Sequence, residues 1–278
     1  MIYFGITLRS RAASKNWEMV QRVFNRTLAS VWRQTCPEFK VLVACHERPL
    51  LWAAYDERLE FLQADTPAPR DHQEMMLDKG WKLSLIAQRV RQLGGGYVMM
   101  VDADDLISNR VAAYAAEHPA ENGFLSRNGY AYTEGAGYAQ QIREPHRICG
   151  SCSIVYYRVE DLPDHMPENL WDDTLKDRWI IRKSHRIIPE SMKQAGRELA
   201  VLPFPSTIYV RNTGDNHSML GGSDLGWKRK LELALRPRIP LQRLEAEFYN
   251  NIMKYLHFLF TACLCGFGFH YVTRQLVC

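Results

Sequence analysis

The feature that most constrains the fold is an apolar run, residues 97–101, that leads directly into an acidic cluster. Asp102, Asp104 and Asp105 occupy three of the next four positions. A continuous apolar run of this length predicts a strand buried on both faces of a sheet. Carboxylates this close repel one another, and a divalent cation with oxygen ligands, Mg²⁺ or Mn²⁺, removes that cost. The alternative is a solvated turn in which an aspartate caps the next helix.

The order of the predicted elements indicates an α/β fold. Apolar runs predict strands at 2–8, 40–45, 59–63 and 97–101, and helical spacing predicts helices at 17–34 and 79–93. After the acidic cluster come a short predicted helix at 109–118 and strand-like segments at 123–132, 151–158 and 199–210. This alternation predicts an open, mostly parallel α/β sheet with right-handed crossovers. Ligands of such sheets bind beyond the carboxyl ends of the strands, where the acidic cluster lies.

Composition and charge exclude several classes of protein. The chain of 278 residues is 46% apolar, as expected for a globular protein with a large core. Its net charge of +4 is too small to indicate a nucleic-acid partner. The first residues lack the features of a signal peptide, so we expect a cytoplasmic protein with reduced thiols. The pair Cys149 and Cys152 is interpreted as buried thiols, with a zinc site as the alternative.

Two segments resemble a known family. Residues 97–108 read YVMMVDADDLIS, and residues 27–45 read TLASVWRQTCPEFKVLVAC. The first is similar to the DxD segment of glycosyltransferases of the GT-A fold, especially the family-2 type. The second is similar to their helix that ends in S-x-x-x-Q-T-x-P before the second strand. The resemblance implies a catalytic domain at 1–222, with a nucleotide-sugar half at 1–110 and an acceptor half at 111–222.

The resemblance also implies a metal site for the donor diphosphate. Asp104 is expected to ligate Mn²⁺ or Mg²⁺, and Asp102 to contact the ribose or the metal. Asp105 is a further candidate ligand in the same cluster. His217 matches a metal- or phosphate-binding histidine found after the last core strand of some relatives, and Arg211 is a candidate phosphate contact.

The nucleoside-sugar donor has further candidate contacts. By the same resemblance, Leu8 and Arg9 at the end of the first strand cradle the nucleoside. Glu47 substitutes for the acidic residue with which relatives read the base at the end of the second strand. Lys79 and Lys82 share one helical face at i, i+3 and are candidates to neutralise the diphosphate, with a solvated helix start as the alternative.

The acceptor half needs a general base within reach of the acceptor hydroxyl. The family resemblance points to Asp173 first and Asp172 second, and to inversion at the sugar. Trp171 is a candidate for stacking on a sugar ring, with a core tryptophan as the alternative. His185 is assigned no catalytic role.

The C-terminal region, residues 223–278, is predicted to be basic and then apolar and helical. Residues 226–273 are interpreted as a peripheral membrane-surface anchor, as a helix packed on the domain or in a homodimer, or as a membrane span. The expected function is transfer of a sugar to a glycan or lipid-linked acceptor in surface polysaccharide biosynthesis. The alternatives are a nucleotidyltransferase, although residues 9–14 lack its glycine-rich loop, and a non-catalytic GT-A-like binding subunit.

Overall fold

The structure, a computed structural model, describes residues 1–169, 179–211 and 236–248. The strands in this part of the chain are β1 (Ile2–Thr7), β2 (Phe39–Cys45), β3 (Leu59–Gln63), β4 (Gly96–Asp102), β5 (Leu106–Ile107), β6 (Gly123–Leu125), β7 (Asn128–Thr133), β8 (Tyr138–Arg143), β9 (Ser153–Tyr157), β10 (Ala200–Val201), β11 (Thr207–Arg211) and β12 (Arg238–Pro240). The helices are α1 (Trp17–Trp32), α2 (His72–Gln92), α3 (Val111–Glu117), α4 (Ile188–Gln194) and α5 (Glu245–Phe248). Short 3-10 helices occur at Pro145–Arg147, Val159–Asp161, Ile180–Arg182 and Leu241–Arg243.

Seven strands form the main sheet, in the order β10-β6-β9-β4-β1-β2-β3. Strand β9 is antiparallel to both of its neighbours, and every other pair in the sheet is parallel. The register places Thr7 beside both Ala44 and Asp102, so the carboxyl ends of the central strands meet at one edge. The predicted α/β fold class, with an open, mostly parallel and Rossmann-like sheet, is confirmed.

Both faces of the main sheet are covered. On one face, Phe4 of β1 packs with Phe24 of α1 in a core that also includes α3. On the other face, Ile86 and Val90 of α2 pack in a second core with Met192 of α4. Because the central strands are buried on both sides, they need apolar side chains at successive positions, which explains their continuous apolar runs.

A smaller second sheet has the order β12-β8-β7-β11-β5 and begins directly after the acidic cluster. The segment predicted as one strand at 123–132 is two strands, β6 in the main sheet and β7 in the second. The chain changes sheet at Ser126, which is completely buried. The Ser126 hydroxyl donates to the Asn128 carbonyl and accepts the Ser206 amide, bonds that a continuous ladder would not provide.

The segment predicted as strand-like at 199–210 is also divided, into β10 and β11. Pro203 and Pro205 lie between the two strands and have no amide hydrogen to contribute to a ladder. Helix α2 begins seven residues before the predicted start at Lys79. The Asp71 side chain caps it by accepting the Glu74 amide hydrogen at 2.8 Å, a local signal that the apolar pattern did not reveal.

The described part of the C-terminal region, residues 236–248, packs on the second sheet. Strand β12 pairs with β8, and Leu244 and Phe248 are buried in the core of that sheet. A helical region was predicted here, whereas this part is a strand, a 3-10 turn and one short helix. Pro240 fits an edge strand because it has no amide hydrogen to pair. The domain boundaries stay predictions.

None of the helices in the described ranges is long and apolar enough to cross a membrane. The apolar segment 255–272 lies outside those ranges. A membrane-surface anchor at residues 226–273 and a homodimer therefore stay predictions.

Candidate active site

The site is centred on Asp102, the last residue of β4. Its Oδ1 lies 2.9 Å from the Nζ of Lys79 on α2, and its Oδ2 accepts the Gly150 amide hydrogen at 2.9 Å. The Asp102 side chain is 32% exposed and that of Lys79 is 44% exposed. Helix α2 and the loop before β9 thus hold an accessible carboxylate at the carboxyl edge of the main sheet.

Charge keeps this carboxylate ionised. Burial alone would raise the pKa of Asp102, but the charge and hydrogen bond of Lys79 outweigh it and leave that pKa below its usual value. The negative charge of Asp102 in turn raises the pKa of Lys79, and Asp104 adds to the effect. Both partners are therefore charged at neutral pH, and Asp104 lies close enough to act on the same lysine.

Gly150 lies directly against the Asp102 carboxylate. A Cβ atom on Gly150 would lie 2.7 Å from Asp102 Oδ2, closer than such contacts occur. Ser151 follows in the same loop, and its hydroxyl oxygen accepts the Asp102 amide hydrogen at 2.8 Å. The loop between the 3-10 helix at Pro145–Arg147 and β9 therefore fixes both the main chain and the side chain of Asp102.

Asp105 differs from Asp102 in being completely buried. Its carboxylate accepts the Ser151 hydroxyl at 2.7 Å, the Cys149 thiol at 3.0 Å and the Val210 amide at 3.1 Å. Burial raises the pKa of Asp105 well above its usual value, and Cys149 and the nearby acidic groups raise it further. Asp105 thus joins the acidic loop to the loop before β9 and to β11 of the second sheet.

A metal ion could be held at this cluster. Asp102, Asp105 and Cys149 each present a ligand atom, and these atoms lie within 4.8 Å of one another. Carboxylate oxygens suit Mg²⁺ and Mn²⁺, whereas a thiol suits softer ions. Burial raises the pKa of Cys149 well above its usual value, which further opposes its use as a thiolate ligand. Asp104, half-buried in the same loop, offers another oxygen donor.

Cys149 and Cys152 are free thiols and are both buried. Burial also raises the pKa of Cys152. Within the described ranges, only Cys149 of this pair belongs to a group that could hold a metal, and its partners there are carboxylates. This donor set is not that of a zinc finger, and the first interpretation, buried thiols, agrees with the geometry.

A second lysine of α2 has a different environment. Lys82 is 1% exposed, and its ammonium donates to Asp78 Oδ2 at 2.6 Å and to the Leu8 carbonyl at 2.8 Å. His46, after β2, lies with its Nε2 3.7 Å from Asp78 Oδ1. Burial lowers the pKa of Lys82 despite the attraction of Asp78. Contact between Lys82 and a donor phosphate would require this network to open.

Three other predicted donor contacts lie around the ends of β1 and β2. Leu8 is buried and presents its carbonyl to Lys82, while Arg9 is half-exposed. Glu47 accepts the Arg11 amide hydrogen at 3.0 Å, so it links the loops after the two strands. The structure thus gathers these residues at the edge where the sequence predicted them, and their contacts with a nucleoside stay predictions.

Arg211 ends β11 in the second sheet, and its guanidinium donates to Gln140 of β8 at 3.3 Å. Burial lowers the pKa of Arg211. Its contact with a phosphate stays a prediction. The predicted bases Asp173 and Asp172, together with Trp171, and the predicted ligand His217 lie outside the described residues.

Sequence reasoning missed three residues that organise the site. Asp78 precedes Lys82 by four positions, a helical i, i+4 spacing that could have revealed the pair. Gly150 and Ser151 lie within the Cys149–Cys152 motif. That motif indicates thiol chemistry and gives no sign of a role for the two residues between the cysteines. Only the fold brings that loop to Asp102.

No family model matches the chain, and no curated protein matches it. Among solved structures, the chain is similar to the crystal structure of S. aureus TarS, with 16% sequence identity and a TM-score of 0.40. The match covers 76% of this chain and 37% of the TarS chain. The chain thus spans little more than a third of that protein. At this identity and TM-score the similarity carries no information about activity.

Proposed function

We propose that the chain is a glycosyltransferase that moves a sugar from a nucleoside-diphosphate sugar to a glycan or lipid-linked acceptor. The observation that carries the proposal is the accessible, ionised Asp102, paired with Lys79 at the carboxyl end of β4. Mostly parallel sheets bind ligands at this edge. The DxD resemblance of the same residues supports the choice of a sugar donor.

The proposed cofactor is Mn²⁺ or Mg²⁺, held by Asp102 and Asp104. Both residues supply the oxygen donors that these ions prefer, and the low pKa of Asp102 keeps it deprotonated. When bound, the ion supplies Lewis-acid stabilisation of the charge on the departing nucleoside diphosphate. Asp105 is then a positioning residue, because its carboxylate already accepts three hydrogen bonds inside the protein.

Lys79 supplies a second positive charge beside the donor diphosphate in this proposal. An ammonium has three donor hydrogens, and Asp102 accepts only one of them. The exposure of Lys79 makes it suited to contact an anionic ligand. Lys82 has a positioning role instead, since it fixes the end of β1 through the Leu8 carbonyl.

The acceptor hydroxyl requires a base, for which Asp173 is the first candidate and Asp172 the second. The base removes the hydroxyl proton as the oxygen attacks the anomeric carbon, and the sugar is transferred with inversion. Arg211 and His217 are the proposed phosphate contact and additional metal ligand. Surface polysaccharide biosynthesis, at the inner face of a membrane, is the proposed setting.

The test uses the melting temperature of the full chain with UDP, with and without Mn²⁺. We expect UDP to raise the melting temperature when Mn²⁺ is present, because a ligand that binds only the native state stabilises it. Asp104→Ala should remove this shift and should abolish hydrolysis and transfer of nucleotide-sugar, and EDTA should have the same effect. Glu117→Ala, which removes an exposed carboxylate from α3, is the matched control.

Normal turnover by Asp104→Ala or in EDTA would contradict the proposal. A wild-type chain that binds no nucleoside diphosphate in the presence of Mn²⁺ would favour the non-catalytic binding subunit. Release of pyrophosphate from a nucleoside triphosphate would favour the nucleotidyltransferase.

A further inference from the structure

A cavity opens beside the 3-10 helix at Pro145–Arg147, in the segment that leads to Gly150. It has a volume of about 590 Å³ and is lined on the acceptor half by Leu125, Arg127, Asn128, Arg143, His146 and Pro189, together with Glu144. This volume lies within the range of pockets that bind small molecules. The cavity is formed where β6 leaves the main sheet and where β8 ends.

The cavity carries a positive charge at its rim. Arg143 stands directly opposite Asn128 in the register of β7 and β8, and Arg127 precedes Asn128. Both arginines are exposed, and within the described residues no carboxylate forms an ion pair with either guanidinium. The carboxylate of Glu144 is paired instead with Arg147, whose Nε lies 3.0 Å from Glu144 Oε2.

The lining combines two kinds of surface. Leu125 and Pro189 supply an apolar wall, and Asn128 supplies a neutral amide that can donate and accept hydrogen bonds. The guanidinium groups supply planar donor pairs, which match the oxygens of a phosphate. This combination fits a ligand that has both a hydroxylated carbon skeleton and a phosphate group.

The cavity is joined to Asp102 by a short stretch of chain. His146 lines the cavity, and Gly150, four residues later, donates its amide hydrogen to Asp102. Four residues of fully extended chain span at most about 14 Å, and the 3-10 turn at Pro145–Arg147 shortens this distance. The His146 carbonyl also accepts a hydrogen bond from His185 Nδ1 at 2.5 Å, which ties this loop to the segment before α4.

We propose that this cavity binds the phosphate group of a phosphate-bearing acceptor, through Arg127 and Arg143. The assignment rests on the proposed function, because a site within reach of Asp102 is an acceptor site only if a sugar is transferred there. The acceptor is then a polyol phosphate or a phosphate-linked lipid, and its reacting hydroxyl extends from the cavity toward the donor.

The direct test measures binding of sn-glycerol 3-phosphate to the full chain by calorimetry, with glycerol as the uncharged match. The double variant Arg127→Gln/Arg143→Gln should weaken binding at least about tenfold, because it removes both charged hydrogen-bond donors from the phosphate. Arg243→Gln removes an exposed arginine that does not line the cavity, and it should bind as the wild type does. Melting temperatures of all variants check that they fold.

A second arm identifies the source of the phosphate. Vesicles of phosphatidylglycerol are compared with vesicles of phosphatidylcholine for the same variants. Binding to phosphatidylglycerol that depends on Arg127 and Arg143 would assign the phosphate to a lipid. If only the binding of sn-glycerol 3-phosphate depends on the two arginines, the phosphate belongs to a soluble polyol phosphate. If neither ligand binds in a way that depends on the two arginines, the inference is wrong.

The two proposals fail in different measurements. The melting temperature with UDP and Mn²⁺ reports on the donor site, and Arg127→Gln/Arg143→Gln should leave that shift unchanged. A normal nucleotide shift without arginine-dependent phosphate binding would overturn the acceptor site alone. If UDP with Mn²⁺ does not raise the melting temperature of the wild-type chain, the proposed function is wrong, whether or not glycerol phosphate binds.

Discussion

Helix α2 carries two lysines, each paired with an aspartate at a similar distance but in opposite surroundings. Lys82 lies 2.6 Å from Asp78, and the two side chains are 1% and 7% exposed. Lys79 lies 2.9 Å from Asp102, and these side chains are 44% and 32% exposed. The first pair is buried at the end of β1, whereas the second is accessible to solvent at the end of β4. Distance alone therefore does not distinguish a structural pair from one that can meet a ligand.

The two lysines also respond to their partners differently. Burial lowers the pKa of Lys82, and the attraction of Asp78 does not compensate. The negative charge of Asp102 raises the pKa of Lys79. On the same helix, burial thus disfavours the charged form of Lys82, whereas Asp102 favours the charged form of Lys79. This contrast predicts that changes at the two sites will separate stability from ligand binding.

The largest effect is expected for Lys82→Met. The variant leaves Asp78 buried without its cation, and removing one partner of a buried pair costs about 3–5 kcal/mol. The Leu8 carbonyl also loses its donor. Urea unfolding monitored by circular dichroism should show the loss as a lower midpoint with an unchanged slope.

The double variant Lys82→Met/Asp78→Leu provides the control for this prediction. It removes both charges, so it should recover part of the lost stability, since apolar replacements of buried pairs are often tolerated. A single variant as stable as the wild type would contradict the view that the buried pair holds the end of β1.

The sequence alone predicted part of this contrast. The spacing of Lys79 and Lys82 placed both on one helical face, and the apolar run before Asp102 predicted a buried strand that ends in a carboxylate. It could not predict which lysine is buried, because the covering groups come from elsewhere in the chain. The Leu8 carbonyl follows β1, and His46 follows β2. Burial of Lys82 is thus a property of the assembled sheet edge.

The loop that orients Asp102 was hidden for a similar reason. The local sequence around Gly150 contains two cysteines three positions apart in a short polar turn, a spacing that points first to thiol chemistry. Its contact with Asp102 depends on β9 pairing antiparallel with β4. Pairing between distant strands is the information that residue spacing within one segment does not contain.

The next largest effect is expected for Gly150→Ala. The added Cβ would meet Asp102 Oδ2 at 2.7 Å, and forcing an extra group into such a contact typically costs 1–3 kcal/mol. If the Asp102 carboxylate shifts to relieve this contact, UDP with Mn²⁺ should stabilise the variant less than it stabilises the wild type. Gly137→Ala is the matched control, since a Cβ there meets no atom within 4 Å. Equal nucleotide shifts in both variants would show that the position of Asp102 does not matter for binding.

A smaller effect on stability is expected for Lys79→Met, which breaks the open pair. Exposed ion pairs contribute about 0.2–1 kcal/mol, so the free energy of unfolding should change by no more than that. Nucleotide binding should nevertheless weaken, and the pKa of Asp102 should rise, because the lysine charge is what lowers it. Carbon-detected NMR of the Asp102 carboxyl group measures the rise directly. Lys79→Arg keeps the charge and should preserve both nucleotide binding and the pKa of Asp102. If Lys79→Met lost as much free energy of unfolding as Lys82→Met, the distinction between the two pairs would not hold.

The smallest effect is expected for the pH dependence of stability, where burial again changes the pKa of a charged group, in this case His185. Burial lowers the pKa of His185 from its ordinary value of 6.5, although its hydrogen bond to the His146 carbonyl and the charge of Asp102 oppose the change. A histidine whose pKa is lower in the folded state stabilises the fold fully above pH 6.5. That contribution is lost as the pH falls through the folded pKa, because the unfolded chain then binds the proton more readily.

Stability measured by urea unfolding should therefore fall as the pH is lowered below about 6.5, and His185→Gln should make the fall less steep. If His185→Gln has the same slope as the wild type, His185 does not differ in protonation between the folded and unfolded chain, and the loop at His146 is held by contacts that do not depend on a neutral imidazole.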